Sequence, residues 1–212
     1  MKKVTYKTSN LYSLKKYKDS NLNCRSYEYL TPYQIKCAIL GSVIKIDGVK
    51  KAEELFHKIK NAIIYVQYPK KFKTNGIKLK RYSNAYYSIK DEEKMDREKL
   101  IGNNFKTTMG FREYVYIPEL SFYIDNSIPN LELYLKNIDW LGTAESLVYL
   151  DSIEDTKQLK NVLLKWNKQD DVELFEVHDF DMKTEFENVY MYSDKYKHLH
   201  KTYICYIGNL KL

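Results

Sequence analysis

The sequence predicts an α+β fold with a long basic insertion and a small β-rich C-terminal part. Three observations predict it. Apolar residues alternate in some segments and recur at helical spacing in others, in the order strand, helix, strand, strand, helix, strand. Residues 69–110 lose both periods and turn basic or polar. Beyond residue 154, short β-rich runs follow one more periodic segment.

Val4, Tyr6 and Thr8 alternate with polar residues and make a first strand. Residues 9–30 are polar without a clean period and read as a long loop. Thr31-Pro32 supplies an N-cap followed by proline at the first helical position, and Ile35, Ala38, Ile39, Ser42 and Val43 follow at helical spacing, so 31–44 is a helix. Asp47-Gly48 is a turn, and 50–60 is a second helix with Leu55, Phe56 and Ile59 on one face. AIIYVQY (62–68) is a β-rich run stopped by Pro69. In the insertion, Asn75-Gly76 is a hairpin-turn signal, with Gly102-Asn103-Asn104 further on and short alternations at Ile77, Leu79 and at Ala85, Tyr87, Ile89. Order returns with strands at 114–117 and 120–124, a helix over 130–138 after Ile128-Pro129, and a strand over 146–153. The resulting βαββαβ order is the ferredoxin-like or RNA-recognition-motif arrangement. The division expected is 1–154, with a thumb-like insertion at about 69–112, and 155–212. In the second part 155–166 reads as a helix, and 172–177, 188–192 and 202–207 as strands.

The net charge of +7 over 212 residues hides a divided molecule. Residues 1–90 hold 20 Lys/Arg and 5 Asp/Glu, whereas 91–212 hold 15 and 23. Residues 55–90 contain nine cations and no acid; 170–187 contain eight acids and only Lys183. Two readings fit: attraction between the halves, or binding of a polyanion by the basic half while the acidic half faces a basic protein. The 21 Tyr and the 31 Lys against 4 Arg are open to two readings as well, a coding bias or a surface of cations and rings suited to nucleic acid.

Hydrophobic residues are 44% of the chain, which excludes a disordered class. Cys24, Cys37 and Cys205 lack zinc-ligand spacing and cannot all pair. The first residues, MKKVTYKTSN, have no apolar h-region, and no apolar run approaches a membrane span, so a soluble, cytoplasmic protein with no membrane partner is expected. Phosphate-cradle and nucleophile-elbow motifs are missing. His198 and His200 form H-x-H without completing ligands, and His57 and His178 read as surface or supporting residues. Asp151, Glu154 and Asp155 are a short acidic run, read as solvated rather than as a magnesium site. RNA cleavage without metal needs a base and an acid near a cationic site, and no histidine lies between His57 and His178.

Three segments carry a family resemblance. Ile138-Asp139-Trp140-Leu141-Gly142-Thr143-Ala144-Glu145-Ser146-Leu147-Val148 resembles the short "LG-x-S/A-E-S/D-L-V" segment of the Cas-five family. Phe111-Arg112-Glu113-Tyr114-Val115, followed by Leu120–Ile124, resembles the family's strand after its thumb. Cys24-Arg25 through Thr31-Pro32-Tyr33-Gln34-Ile35-Lys36-Cys37-Ala38-Ile39-Leu40-Gly41 resembles its arginine-bearing loop and first helix. The set spans most of 1–155 in the expected order and looks most like the type I-B branch.

The resemblance implies a RAMP-type subunit of a type I CRISPR surveillance complex (Cascade), acting in antiviral defence. Such a subunit has a modified RNA-recognition-motif domain with a projecting thumb. It grips the 5′ handle of the CRISPR RNA, caps the backbone of Cas-seven subunits, contacts the large PAM-reading subunit and meets target DNA only indirectly. It implies no cofactor, no metal and, in most subtypes, no chemistry. One branch cleaves precursor RNA with Tyr, Lys and His, but this chain has no histidine in the thumb region, and of a glycine-rich C-terminal loop only Gly208 stands. A metal-independent endoribonuclease and a protein-only interaction module are the alternatives. Lys70, Lys71, Lys73, Lys78, Lys80, Arg81 and Arg112 are the expected phosphate contacts, with Arg25 and Lys36 carried over from the first-helix motif. Tyr82, Tyr86 and Phe105 are expected to stack on bases and Met109 to wedge between nucleotides or pack in its loop; Trp140, Leu147 and Tyr149 fall to the core or the Cas-seven contact.

Overall fold

Alternation in the first strand sets the layers. In β1 (Lys2–Thr8) Val4 and Tyr6 are fully buried on one face, while Lys3, Thr5 and Lys7 take the other. The structure, a computed structural model, describes residues 1–16, 18–20, 22–82, 107–168, 171–197 and 199–211, the side chains of 80–82 and 107–108 excepted. It is a mixed α+β architecture with three sheets and, among the described residues, four helices.

The remaining elements are β2 (Asn23–Cys24), α1 (Pro32–Asp47), α2 (Val49–Asn61), β3 (Ile64–Val66), β4 (Lys73–Tyr82), β5 (Thr107–Tyr116), β6 (Glu119–Ile124), α3 (Leu131–Lys136), β7 (Val148–Asp155), β8 (Gln158–Lys165), β9 (Phe175–Phe180), α4 (Phe186–Val189) and β10 (His200–Lys211). The central sheet runs β3-β6-β1-β7 with every neighbouring pair antiparallel. Its inner face, with Leu120, Phe122 and Ile124 beside Val4 and Tyr6, shares one core with Ile35, Ile39 and Val43 of α1 and Leu55, Phe56 and Ile59 of α2. The Gln34 side chain accepts the Thr31 N–H at 3.0 Å to close the start of α1. Gly48, at φ +83°, makes the corner into α2 that a side chain would resist. The loop over 9–30 is less irregular than expected: Tyr12 bridges Val115, Lys15 bridges Ser26, and Tyr12, Tyr27 and Tyr29 are buried.

Four sequence expectations are corrected. Residues 155–166 are not a helix but β8, paired with β10. Leu159, Val162 and Leu163 have the spacing of a helix face, but a bulge at Asn161 (φ 52°) and burial on both faces of a strand produce it. Asn75-Gly76 is not a turn; both lie inside β4, paired with Tyr114 and Glu113. The Phe111 ring occupies the space a Gly76 side chain would take, with two ring atoms 2.5 Å from a Cβ placed there. Residues 188–192 are not a strand: Phe186 stacks on Tyr190 one helical turn on, at 5.5 Å, and packs on Phe56. The strand expected at 172–177 is shifted to Phe175–Phe180. The alternation at Ala85, Tyr87 and Ile89, and Gly102-Asn103-Asn104, lie outside the described residues.

In the second sheet, β8-β10-β9, it is β8 that lies against the outer face of the central one. Leu159 and Val162 cover Tyr123, with Tyr65, Leu164 and Leu210 around them. Phe175, Val177 and Phe180 join the main core. No helix among the described residues is long and apolar enough to cross a membrane.

Candidate nucleic-acid interface

The third sheet, β2-β5-β4, is the arm that the basic insertion builds. β4 and β5 pair over ten residues, from Lys73 opposite Tyr116 to Tyr82 opposite Thr107, and Asn23-Cys24 add a short parallel edge beside Phe111 and Arg112. Residues directly opposite in an antiparallel ladder share a face. One face therefore carries Lys73, Asn75 and Ile77 with Tyr116, Tyr114 and Arg112; the other carries Thr74, Gly76 and Lys78 with Val115, Glu113 and Phe111. The second face is tied to the body at its root: Val115 is buried and exchanges backbone hydrogen bonds with Tyr12, and the Glu113 carboxylate accepts the Ser26 N–H at 2.9 Å.

Lys70, Lys71, Lys73 and Lys78 are exposed, and none is in an ion pair among the described residues. They are spread rather than clustered: Lys73 and Lys78 take opposite faces of the arm and, at about 3.3 Å per residue, lie roughly 17 Å apart along it. The backbone of Lys80, Arg81 and Tyr82 continues β4 opposite Met109, Thr108 and Thr107. Met109 is 64% exposed on β5. Tyr86 and Phe105 lie outside the described residues.

The two arginines meet at the arm's root, because Cys24 pairs with Arg112 and Arg25 follows it. Both are engaged. Arg25 is exposed and grips the Asp19 carboxylate at 2.8 Å, which holds that carboxyl below the usual range. Arg112 is held cationic by the Tyr114 hydroxyl first and by Glu145, 3.3 Å away.

Lys36 is a correction. Its side chain is 3% exposed, and its ammonium donates to both Asp179 oxygens, at 2.8 and 2.9 Å, and to the Lys60 carbonyl at 2.7 Å. Burial on the inner side of α1 leaves it nothing to offer an RNA; it pins β9 to the helix pair. Of the two places expected for Trp140, Leu147 and Tyr149, the core and a contact surface, the core does not hold them, since they are 51%, 43% and 53% exposed. They cluster because Trp140 bridges Leu147 and Tyr149 follows on the same face of the strand edge.

Sequence reasoning missed one cation. Lys3 joins Lys70 and Lys71 around a depression of about 330 Å³ on the outer face of the central sheet, lined also by Gln67, Tyr68, Pro69, Pro118, Glu119 and Ser121. The signal was present in the alternation of β1, which puts Lys3 opposite the core face.

Two of the histidines lie together, the His178 and His200 rings 5.1 Å apart and edge to face. Buried His178 shares hydrogen bonds with Tyr27 Oη (2.7 Å) and Thr202 Oγ1 (3.0 Å), and burial, then His200, lowers its pKa. His57 bonds Asn61 on the surface of α2, and His198 lies outside the described residues. Asp151 pairs with Lys7 and Asp155 with Lys2. Among the described residues, no group of three or more His, Cys, Asp or Glu is placed to hold a metal ion.

No family model matches the chain, and no curated protein matches it. Among solved structures it is similar to a crystal structure of a CRISPR protein from Archaeoglobus fulgidus, at 14% identity over 98% of this chain and 85% of that one. The TM-score is 0.45, a likeness too loose to assign a fold or a function.

Proposed function

We propose that this chain is a non-catalytic RNA-binding subunit of the Cas-five family in a type I CRISPR surveillance complex, gripping the 5′ handle of the CRISPR RNA. One observation carries the reading. An antiparallel arm, fed by an acid-free segment whose lysines at 70, 71, 73 and 78 have no ion pair among the described residues, springs from between the second and third strands of an antiparallel sheet. Taken in chain order, the four strands of that sheet lie 4-1-3-2 in space, the order of ferredoxin-like and RNA-recognition-motif sheets, and this supports the finer fold assignment. The outer sheet face where such domains stack bases is covered here at Tyr123, 2% exposed, which favours reading the arm and its root as the RNA contact.

The exposed Trp140, Leu147 and Tyr149 then face the Cas-seven backbone subunit, and the acidic C-terminal stretch faces a basic protein such as the large PAM-reading subunit. Target DNA is met through those partners, in the cytoplasm. The test is binding of a labelled 5′-handle RNA across a salt series. Each phosphate neutralised adds about 0.7 to the slope for a single strand, so changing Lys70, Lys71 and Lys73 to Ala lowers it by about 2. An unchanged slope and unchanged assembly with the backbone subunits in that variant would sink the proposal.

A further inference from the structure

The depression at the root of the arm has a chemistry that the spread lysines lack. We propose that it is a pocket for one guanine nucleotide turned out of the bound RNA strand; this rests on the RNA-binding reading above and adds base selectivity to it.

The pocket is built on fixed elements. Its floor is the outward face of β1 and β6 at Lys3 and Ser121. One wall is the link from Gln67 to Lys71, the other the turn at Pro118-Glu119. The first wall is held at both ends of its start: Gln67 N–H donates to the Ser121 carbonyl at 3.0 Å, and Tyr68 N–H to the Asn161 carbonyl at 2.7 Å. The Tyr68 ring is wedged by Phe175 at 5.0 Å and by Tyr29 at 5.9 Å. A wall fixed before the ligand arrives loses little freedom on binding. The second sheet covers the neighbouring part of the same face over Tyr65 and Tyr123, so the depression is the part of it left open beside the arm. Its volume, about 330 Å³, falls within the range of small-ligand pockets.

The lining combines three kinds of group. Lys3, Lys70 and Lys71 are cations without an ion pair among the described residues, suited to a phosphate. Tyr68, Pro69 and Pro118 give apolar surface for a base. Glu119 sets the selectivity. An anion has no place in a site built for phosphate alone, and an ionised carboxylate only accepts hydrogen bonds. It therefore favours a base edge with two adjacent donors. Guanine offers N1–H beside the N2 amine. Adenine and cytosine put an acceptor next to their single amine, and uracil flanks its one N–H with two carbonyls. Gln67 and Ser121 remain for the guanine carbonyl.

The experiment uses the full chain and two fluorescein-labelled RNAs of about twelve uridines, the site size of a single-strand binder. One carries a single central guanosine and the other a single inosine, which lacks the N2 amine; in a uridine run the register is free, so the purine can settle in the pocket. By fluorescence anisotropy, the wild type should bind the guanosine RNA about tenfold tighter. Glu119→Gln should abolish that difference, bringing the two RNAs to one affinity. Salt-sensitive binding with no guanosine preference, or a preference that survives in Glu119→Gln, overturns the pocket and leaves RNA binding standing. Failure of the wild type to bind either RNA at low salt overturns both.

Discussion

Replacing Lys36 with methionine keeps the length of the side chain and removes its charge from a place where water hardly reaches. The ammonium sits on a side chain 3% exposed and holds Asp179, 25% exposed, together with the Lys60 carbonyl. Breaking a buried pair by deleting one partner costs about 3–5 kcal/mol, because the other charge is left without compensation. After Lys36→Met the orphan is Asp179, which reaches some water and still accepts the Phe180 N–H at 2.8 Å, so the loss belongs at the lower end, about 3 kcal/mol. After Asp179→Asn the orphan is the deeper ammonium, and the loss moves towards about 5 kcal/mol. The double variant Lys36→Met/Asp179→Asn should cost less than the two losses added, since neither charge remains to be stranded. Equilibrium urea unfolding at neutral pH reads all three. A Lys36→Met protein with an unchanged urea midpoint, but a weaker and less salt-sensitive RNA complex, would refute the structural role and return Lys36 to the RNA surface.

Three further predictions follow from the same packing. His178 is held neutral by burial, so its folded pKa lies below the unfolded value of about 6.5. The unfolded chain then takes up the proton first: stability is full above about pH 6.5 and declines as pH falls from there towards the folded pKa, and His178→Gln should flatten that part of the decline in the urea midpoint. Gly142 sits at φ +101° with space for a Cβ only 2.9 Å from the Ser13 carbonyl, so Gly142→Ala should destabilise by at least about 2 kcal/mol. Gly41→Ala, in α1 with nothing within 4 Å, should stabilise by about 0.5–1 kcal/mol in the same urea assay.

The elements that were legible are those in which local chemistry and tertiary packing agree. α1 has a capping threonine, a first-turn proline and an unbroken helical stripe, and it extends only to Asp47, three residues past the expected end. β8 was not legible because its bulge shifts the strand's phase by one residue, so that Leu159 and Val162 face the same way three positions apart. Gly76 misled because a glycine under an aromatic ring and a glycine in a turn look alike in sequence, and only the partner strand separates them. Near the arm, lysines in an acid-free run were legible as a group, whereas Lys36 entered with the first-helix resemblance and its burial was not legible: a buried cation announces itself only through its partner, here 143 residues away. Alternation puts Lys3 opposite the core face, but its proximity, and that of Glu119, to Lys70 is a product of sheet order.

The two readings of the divided charge meet in the ion pairs. Lys2, Lys7, Lys18, Lys36 and Lys45 from the basic half pair with Glu132, Asp151, Glu176, Asp179 and Asp139 from the acidic half, so attraction between the halves is real. Most of these pairs are exposed and are worth at most about 1 kcal/mol each, too little to explain why the charges are segregated. They also stop short of the arm. Among the described residues, Lys70, Lys71, Lys73 and Lys78 receive none of the acids that pairing supplies elsewhere. Lys70, Lys71 and Lys73 stand within about a Debye length of one another, roughly 10 Å at 0.1 M salt, so their repulsion is felt in the free protein. A string of phosphates relieves that repulsion and releases its own counterions in doing so. Folding thus separates the lysines that hold the chain together from those without an acidic partner among the described residues, and the RNA contacts proposed above belong to the second set.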